Sequence, residues 1–316
     1  MVSQGTTDLV DTDTRNGAVP PGRRSVNDNI SHVISELLVG GSLEMSPHRA
    51  ADAQEVAALL PAGTRVYVNQ PPLYSLAQSL PALKALREVG LEPVAHIAAR
   101  RVASRAEVRS FLERASGEAA LSKVLLIGGD EPRPLGPYAS GVDLLREEIF
   151  SHNGIREVGL PGYPEGHPKI DNSAIERALL TKLAMVTVQG LSAHIVTQFS
   201  FAPARIVQYC AELSRKIPTI PLYIGVAGPV EAYRLLRFAQ RCGVSASLRA
   251  LRAQGMGAIR LITNTDPHDQ LVAVARYCLT QPSCNVVGAH LFTFGGVGRT
   301  VAWINQQIVS LSGAGS

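Results

Sequence analysis

The chain has 316 residues, of which 46% are hydrophobic and 18% charged, which excludes a disordered tail or a fibre and allows one large core or two modest ones. Lysine and arginine number 30 against 26 aspartates and glutamates, and aromatics make up only 5%, so nucleic acid is not an expected partner.

Residues 1 to 30 are polar and turn-rich, with charges from Asp8 and Asp11 to Arg23 and Arg24, and read as a flexible extension without the apolar core of a secretion signal. The folded domain is expected over residues 31 to 316. No uninterrupted apolar run reaches the roughly 20 residues of a membrane helix. Cys210, Cys242, Cys278 and Cys284 form no CxxC pair, so reduced thiols, a cytoplasmic location and no membrane partner are expected.

Beyond the extension, short runs rich in Val, Ile and Leu alternate with segments of helical periodicity. The predicted strands are Leu37–Met45, Arg65–Asn69, Pro93–Ala99, Lys123–Gly129, Glu157–Tyr163, His194–Phe199, Leu222–Ala227 and Asn285–Phe294. The predicted helices are Ala50–Leu60, Leu73–Val89, Arg105–Arg114, Val142–Asn153, Asn172–Gln189, Ala204–Lys216, Val230–Arg241 and Asp269–Thr280, with a short extra helix over Ser245–Ala253. Ser104 and Asn172 suit N-caps, and Gly154 and Gly190 suit C-terminal stops. Eight strand and helix units in about 285 residues have the rhythm of a single (β/α)8 TIM-type barrel. A doubly wound sheet needs a GxGxxG turn after its first strand, a spacing that Gly40-Gly41-Ser42-Leu43-Glu44 lacks. Apolar outer helix faces would suggest a homo-oligomer, a point that the sequence leaves open.

In such a barrel the strand C-terminal ends face one cavity, so their polar residues are the candidates for chemistry. They are Glu44 on strand one, His96 on strand three, Asp130 after Gly128-Gly129 on strand four, Tyr163 and His167 after strand five, and Gln198 on strand six. A carboxylate at an apolar strand end is costly to desolvate, and burial tends to raise its pKa, so Glu44 is a candidate proton donor. Each also has a structural explanation. Glu44 could pair with a loop arginine, Asp130 cap a helix, His96 sit hydrogen-bonded in the core, His167 brace a turn and Gln198 satisfy backbone groups. Convergence on one end favours function. The eight histidines form no HxH or HExxH pair, and neither GxSxG nor a P-loop is present.

At these residues the sequence resembles the methylenetetrahydrofolate reductase family, flavoprotein (β/α)8 barrels that reduce methylenetetrahydrofolate with NADH or NADPH. The likeness covers roughly residues 37 to 310. Gly41-Ser42-Leu43-Glu44-Met45-Ser46-Pro47 is similar to the family's first-strand motif, which implies that Glu44 is the acid assisting imidazolidine opening. Gly129-Asp130 matches the Gly-Asp pair whose aspartate faces the pterin. Thr197-Gln198-Phe199-Ser200-Phe201 resembles the Thr-Gln-Phe-Phe-Phe segment whose glutamine contacts substrate, and Tyr163-Pro164-Glu165-Gly166-His167-Pro168 resembles the segment beside the flavin. Tyr233 falls where the family stacks an aromatic on substrate or nicotinamide. The resemblance implies FAD as cofactor, with His96, Gly129, Asp130, Tyr138, Ala139, Tyr163, His167, Glu176 and Lys182 at flavin-contacting positions, and a folate as substrate.

The departures are specific. Gly128 stands where the family has an arginine, and Tyr67-Val68-Asn69 replaces a Thr-Tyr-Gly segment. The helix positions that carry Asp, Asn, Arg and Lys around the flavin's ribose and diphosphate read Glu176, Leu179, Lys182 and Leu183 here. Hydrogen bonds to a charged group are worth about 1.5 to 3 kcal/mol each, so losing them weakens FAD by orders of magnitude. That loss motivates direct hydride transfer from nicotinamide as an alternative to the flavin route. Two further readings are a methyltetrahydrofolate-dependent methyl-transfer enzyme and an inactive folate-binding subunit.

Overall fold

The structure, a computed structural model, describes residues 26–231, 234–235, 237–238, 244 and 267–313. Eight parallel strands close into a barrel in sequence order: β1 (Ser42–Met45), β2 (Arg65–Val68), β3 (Glu92–Ala98), β4 (Lys123–Ile127), β5 (Glu157–Gly162), β6 (Ser192–Thr197), β7 (Leu222–Ala227) and β8 (Val286–Phe292). The fold is the (β/α)8 TIM-type barrel that the alternation implies. Each of the eight predicted strands overlaps an observed one, with β3 starting one residue and β6 two residues earlier than expected.

The beginning of the chain departs from expectation. Helix α1 (Val26–Val39) starts inside the stretch read as extension and takes up Leu37 and Leu38, which were assigned to the first strand. Ile30, Ile34, Leu37 and Leu38 recur at helical spacing and are all buried, because α1 packs on β8 and on two late helices, α9 (His268–Thr280) and α10 (Val297–Gly313). Gly40 and Gly41 then admit the close approach of β8, since a Cβ on Gly41 would lie 2.5 Å from the Ala289 carbonyl oxygen.

Several helices are shorter than expected, for identifiable reasons. The segment after β1 is a 3-10 turn over Pro47–Asp52 leading into α2 (Ala53–Ala57). The segment after β2 is a 3-10 turn over Leu76–Ser79 followed by α3 (Leu80–Glu88), restarted where Pro81 lacks an N–H. Helix α4 (Arg105–Ala119) is longer than expected, and its Ser104 cap accepts from the Glu107 N–H at 3.1 Å. The predicted helix Val142–Asn153 is two pieces, α5 (Gly141–Leu145) and α6 (Ile149–His152), interrupted by Glu148 at φ 52. Helix α7 (Asn172–Val188) is capped by Asp171 rather than by Asn172, its carboxylate accepting from Ala174 N–H at 3.1 Å. Helix α8 (Pro203–Lys216) follows β6. The predicted helix Val230–Arg241 falls largely, and Ser245–Ala253 wholly, outside the described residues. Helix α10 was not expected, although Val297, Val301 and Ile304 sit buried at helical spacing along it.

Three packing regions result among the described residues. The largest fills the space between strands and helices, a second gathers Phe199, Val230, Leu235 and Phe294, and a third lies inside the barrel, where Tyr67, Val94, Leu125, Val196 and Tyr223 meet. Below that interior layer, at the N-terminal end of the strands, sits an ionic cluster. Glu157 accepts from Arg65 at 2.7 and 3.2 Å, lies 3.2 Å from Lys123 Nζ and 2.7 Å from His194 Nδ1. His194 is fully buried, and its Nε2 lies 2.8 Å from the Tyr67 hydroxyl. Gly159 makes room for this ring, as a Cβ there would fall 2.6 Å from His194 Nε2.

Burial pushes the Glu157 carboxyl up, but His194, Arg65 and Lys123 outweigh it and bring it down to about 2. Because the folded value lies below the ordinary 4.5, the stability it contributes is present above pH 4.5 and is lost as pH falls towards 2. Glu157→Gln should lower the unfolding free energy at pH 7 by about 2 to 3 kcal/mol, and urea titrations should show the gap to wild type closing as pH falls through that window.

Candidate active site

The upper end of the barrel opens into a cavity of about 540 Å³. Strand alternation explains its lining, because interior-facing residues two apart on each strand project into it. Glu44 and His96 stand at its base, and Ile127, Gly129, Asp130, Tyr163, His167 and Gln198 form one side. His290, Phe292 and Phe294 form the other, at alternate positions running out of β8 and joined by Phe238. Phe238 and Phe294 have ring centroids 4.9 Å apart, and Phe292 lies nearly parallel to Phe294 at 6.2 Å.

Glu44 is the charged group at the base. Its side chain is only 14% exposed, and its Oε1 lies 3.9 Å from both His96 Nε2 and His290 Nε2. Neither Nε2 makes a hydrogen bond among the described residues, and both are shielded from solvent. Burial raises the Glu44 carboxyl, as expected from sequence, but His290, His96 and Asn69 outweigh it and hold the group below the ordinary carboxylate value. In the open cavity, therefore, Glu44 is a carboxylate rather than a stored acid. Its partners are imidazoles rather than a loop arginine. Burial in turn drives His96 down to about 4, against the opposing pull of Glu44.

Asp130 does not cap a helix. It is largely exposed, 3.9 Å from Arg101 Nη2, while α5 is capped by Ser140 with Asp143 completing a capping box. Gly129 at φ 94 makes the turn that delivers it. His167 both lines the cavity and braces its loop, accepting from the Lys169 N–H at 3.2 Å and meeting Tyr163 edge-on at 5.6 Å. Burial, with the Asp130 charge adding to it, pushes the Tyr163 hydroxyl up to about 12. Gln198 anchors itself by accepting from its neighbour Phe199 N–H at 3.1 Å.

The remaining expected residues do not join this group. Tyr138 is buried in the outer core, and Ala139 is held by its backbone. Glu176 lines a separate cavity of about 230 Å³ between α7 and α8 and is paired with Lys216. Lys182 lines neither cavity, and burial lowers its ammonium to about 8. Tyr233 lies outside the described residues. Conversely, His290, Asn69, Arg101 and the three phenylalanines line the cavity without having been singled out. The alternate spacing of His290, Phe292 and Phe294 in the predicted last strand was the available signal for three of these wall positions.

A sequence model described as methylenetetrahydrofolate reductase matches residues 75–287. The chain belongs to the methylenetetrahydrofolate reductase family. Among solved structures, an uncharacterized protein from Clostridium thermocellum, described as binding two copies of 5-methyl-5,6,7,8-tetrahydrofolic acid, is 11% identical with a TM-score of 0.56. The match covers 84% of this chain and 96% of that one, and it shows the shared barrel. The dihydropteroate synthase of Xanthomonas albilineans, solved with 4-aminobenzoic acid, is 13% identical over 85% of this chain and 92% of its own, with a TM-score of 0.47.

The resemblance implies FAD as cofactor, which raises the question whether these residues fit it. A diphosphate needs cations or converging N–H donors. On α7, Leu179 and Leu183 are buried in the core, Glu176 brings a like charge, and Lys182 faces neither cavity. The loop after β4 is also closed down. Arg100 spends its guanidinium on the carbonyls of Glu131, Pro132 and Ala139, at 2.7 to 2.9 Å, and Gly136 is packed so tightly on Ala103 that a Cβ would overlap its carbonyl. Arg101 is bound to Glu131 and to the Gln70 carbonyl. These residues do not fit the FAD diphosphate.

Three charge-assisted bonds to one loop make Arg100 its main fastening. Arg100→Ala should lower the urea midpoint by the equivalent of about 2 kcal/mol and speed chymotrypsin cleavage at exposed Leu135, measured by limited proteolysis against wild type.

Proposed function

We propose that this chain is an oxidoreductase that reduces 5,10-methylenetetrahydrofolate to 5-methyltetrahydrofolate, taking the hydride directly from NADH or NADPH bound in the same cavity as the folate. The observation that carries the reading is the carboxylate of Glu44 at the base of an aromatic-walled cavity, at the strand C-terminal end of a methylenetetrahydrofolate reductase family barrel. A methyltetrahydrofolate described in a barrel of the same fold is consistent with it. The poor fit of the FAD diphosphate supports the direct route over the flavin route.

The chemistry follows from what the side chains can do. The substrate's methylene bridges N5 and N10, and it becomes an electrophile when N10 leaves as an amine. Filling the cavity with a folate expels water from around Glu44, which favours the neutral carboxyl and lifts its pKa from the depressed value of the open site. Protonated Glu44 then gives its proton to N10 as the methylene carbon to N10 bond breaks. An iminium remains at N5, and the nicotinamide delivers a hydride to its carbon. The sum consumes one proton and oxidises one NAD(P)H.

Asp130 at the rim offers a carboxylate to the N–H groups of the pterin, and Gln198 offers both a donor and an acceptor. Phe292, Phe294 and Phe238 supply the faces on which planar rings stack, worth about 1 kcal/mol per aromatic pair beyond area burial.

Glu44→Gln should lower kcat by about 100- to 10,000-fold while folate affinity changes little, read from NADH oxidation and from equilibrium binding of the folate. The purified protein should be colourless, and a bound flavin band near 450 nm would return the hydride to a flavin route. Because the free enzyme holds Glu44 ionised and must take up a proton, kcat/KM should fall as pH rises, which a pH series in constant ionic strength measures.

A further inference from the structure

Away from the cavity, the turn that leads from α9 into β8 gathers sulfur. Cys278 lies in the last turn of α9 and Cys284 two residues before β8 begins. Both thiols are free, both are half-buried against the main core, and the residues between them, Leu279 to Ser283, are exposed. We propose that Cys278 and Cys284 are a dithiol that a hydroperoxide oxidises reversibly to a disulfide, Cys284 attacking and Cys278 resolving. The proposal stands independently of the reductase reading.

The backbone brings the two cysteines together. After α9 the chain reverses through two hydrogen bonds, Gln281 N–H to the Tyr277 carbonyl and Cys284 N–H to the Gln281 carbonyl, both at 3.0 Å. The residues just outside the pair are then clamped on one serine of α8. Tyr277 donates its hydroxyl proton to Ser214 Oγ at 3.0 Å, and Ser214 donates to Asn285 Oδ1 at 2.7 Å. Asn285 in turn donates to the carbonyls of Ile217 and Ile220, at 3.3 and 2.7 Å. Tyr277, Ser214 and Asn285 are all buried, so water does not compete for these bonds. The loop from 277 to 285 is closed at its neck, and the cysteines face each other just inside it.

Within that loop the Cys278 thiol donates a hydrogen bond to the Cys284 sulfur. Sulfurs near enough to share a proton have the proximity that a disulfide needs. The bond also divides the roles. It holds the Cys284 thiol below its ordinary pKa against the opposing effect of burial, and it pushes Cys278 up. The thiolate is the nucleophile, so Cys284 attacks first. Cys210 on α8 is the third sulfur nearby, but it is fully buried, and burial, with the Cys284 charge adding to it, pushes its thiol up to about 12. Among the described residues these sulfurs belong to no group that could hold a metal ion, which leaves redox chemistry as the use of the pair.

The step balances. The Cys284 thiolate attacks the outer oxygen of the hydroperoxide, the O–O bond breaks, and the inner oxygen leaves as an alkoxide that takes up a proton, giving a sulfenic acid on Cys284. The Cys278 sulfur then attacks the Cys284 sulfur. The S–S bond forms as the S–O bond breaks, and the hydroxyl leaves with the Cys278 proton as water. Two thiols are oxidised by two electrons in all, and the hydroperoxide is reduced to an alcohol and water. A dithiol reductant reverses the bridge by exchange.

The test uses the reduced, full-length wild-type chain with one equivalent of hydrogen peroxide. Free thiols are then blocked with iodoacetamide, and the chain is cut with trypsin and weighed without reduction. Arg276 and Arg299 place both cysteines in one tryptic peptide, residues 277 to 299. It should come out two hydrogens lighter and unalkylated, and dithiothreitol should restore two alkylatable thiols. In Cys278→Ala, peroxide should leave a Cys284 sulfenic acid that dimedone captures, whereas Cys284→Ala should give no such adduct at Cys278. Without peroxide, wild-type Cys284 should react with iodoacetamide about tenfold faster than Cys278 at pH 7. A peptide still alkylated twice after peroxide, or a bridge from either cysteine to Cys210 or Cys242, would overturn the proposal. Dimedone capture at Cys278 in place of Cys284 would overturn the assignment of roles. The wild-type measurement decides the pairing even where a variant fails to fold.

Discussion

The site depends on one electrostatic condition, the survival of a carboxylate largely buried at the base of a barrel cavity. An isolated ionised glutamate there would be expensive, and it would escape the cost by staying protonated. Glu44 keeps its charge because two imidazoles and an amide face it. That balance is easily tipped, since none of its neighbours is a permanent cation. An arginine in place of either histidine would lock Glu44 as a base, whereas imidazoles leave its protonation responsive to what enters the cavity. The acid role proposed for Glu44 requires a group of that kind.

A contrasting solution stands at the other end of the same barrel. Glu157 is surrounded by the Arg65 guanidinium, the Lys123 amine and the His194 ring. Its charge is fixed, and it ties β2, β4, β5 and β6 together away from the cavity. The two carboxylates, with Tyr67 lying between their layers, show how one interior supports a rigid floor and a responsive ceiling.

Much of this was legible in sequence. Strand runs of Val, Ile and Leu gave their positions because burial on both faces leaves little alternation to misread. Glu44, His96, Gly129, Asp130, Tyr163, His167 and Gln198 converge because barrel topology brings every strand end to one rim, whatever the loops do. The failures also have physical causes. Leu37-Leu38-Val39 is as apolar as a strand, and only the partners α9 and α10, more than 200 residues away, make it helical. Glu176 and Lys182 were carried by family likeness, and their side chains depend on how α7 packs, which local sequence does not report. The sign of the Glu44 shift escaped for a similar reason: burial was readable, but the histidine on β8 that counters it is 246 positions downstream (290 − 44 = 246).

The alternation of β8 has an evolutionary corollary. His290 and Phe292 share one face only while the strand keeps its phase, and Gly288, whose Cβ position falls 2.6 Å from the Gly40 carbonyl oxygen, holds that phase against the end of α1. A single-residue insertion or deletion between Gly288 and His290 would turn both side chains outward at once. Proton handling and ring stacking would then vanish in one mutational event, so divergence of this barrel is channelled towards substitutions along β8 and towards length changes in the loops beyond it.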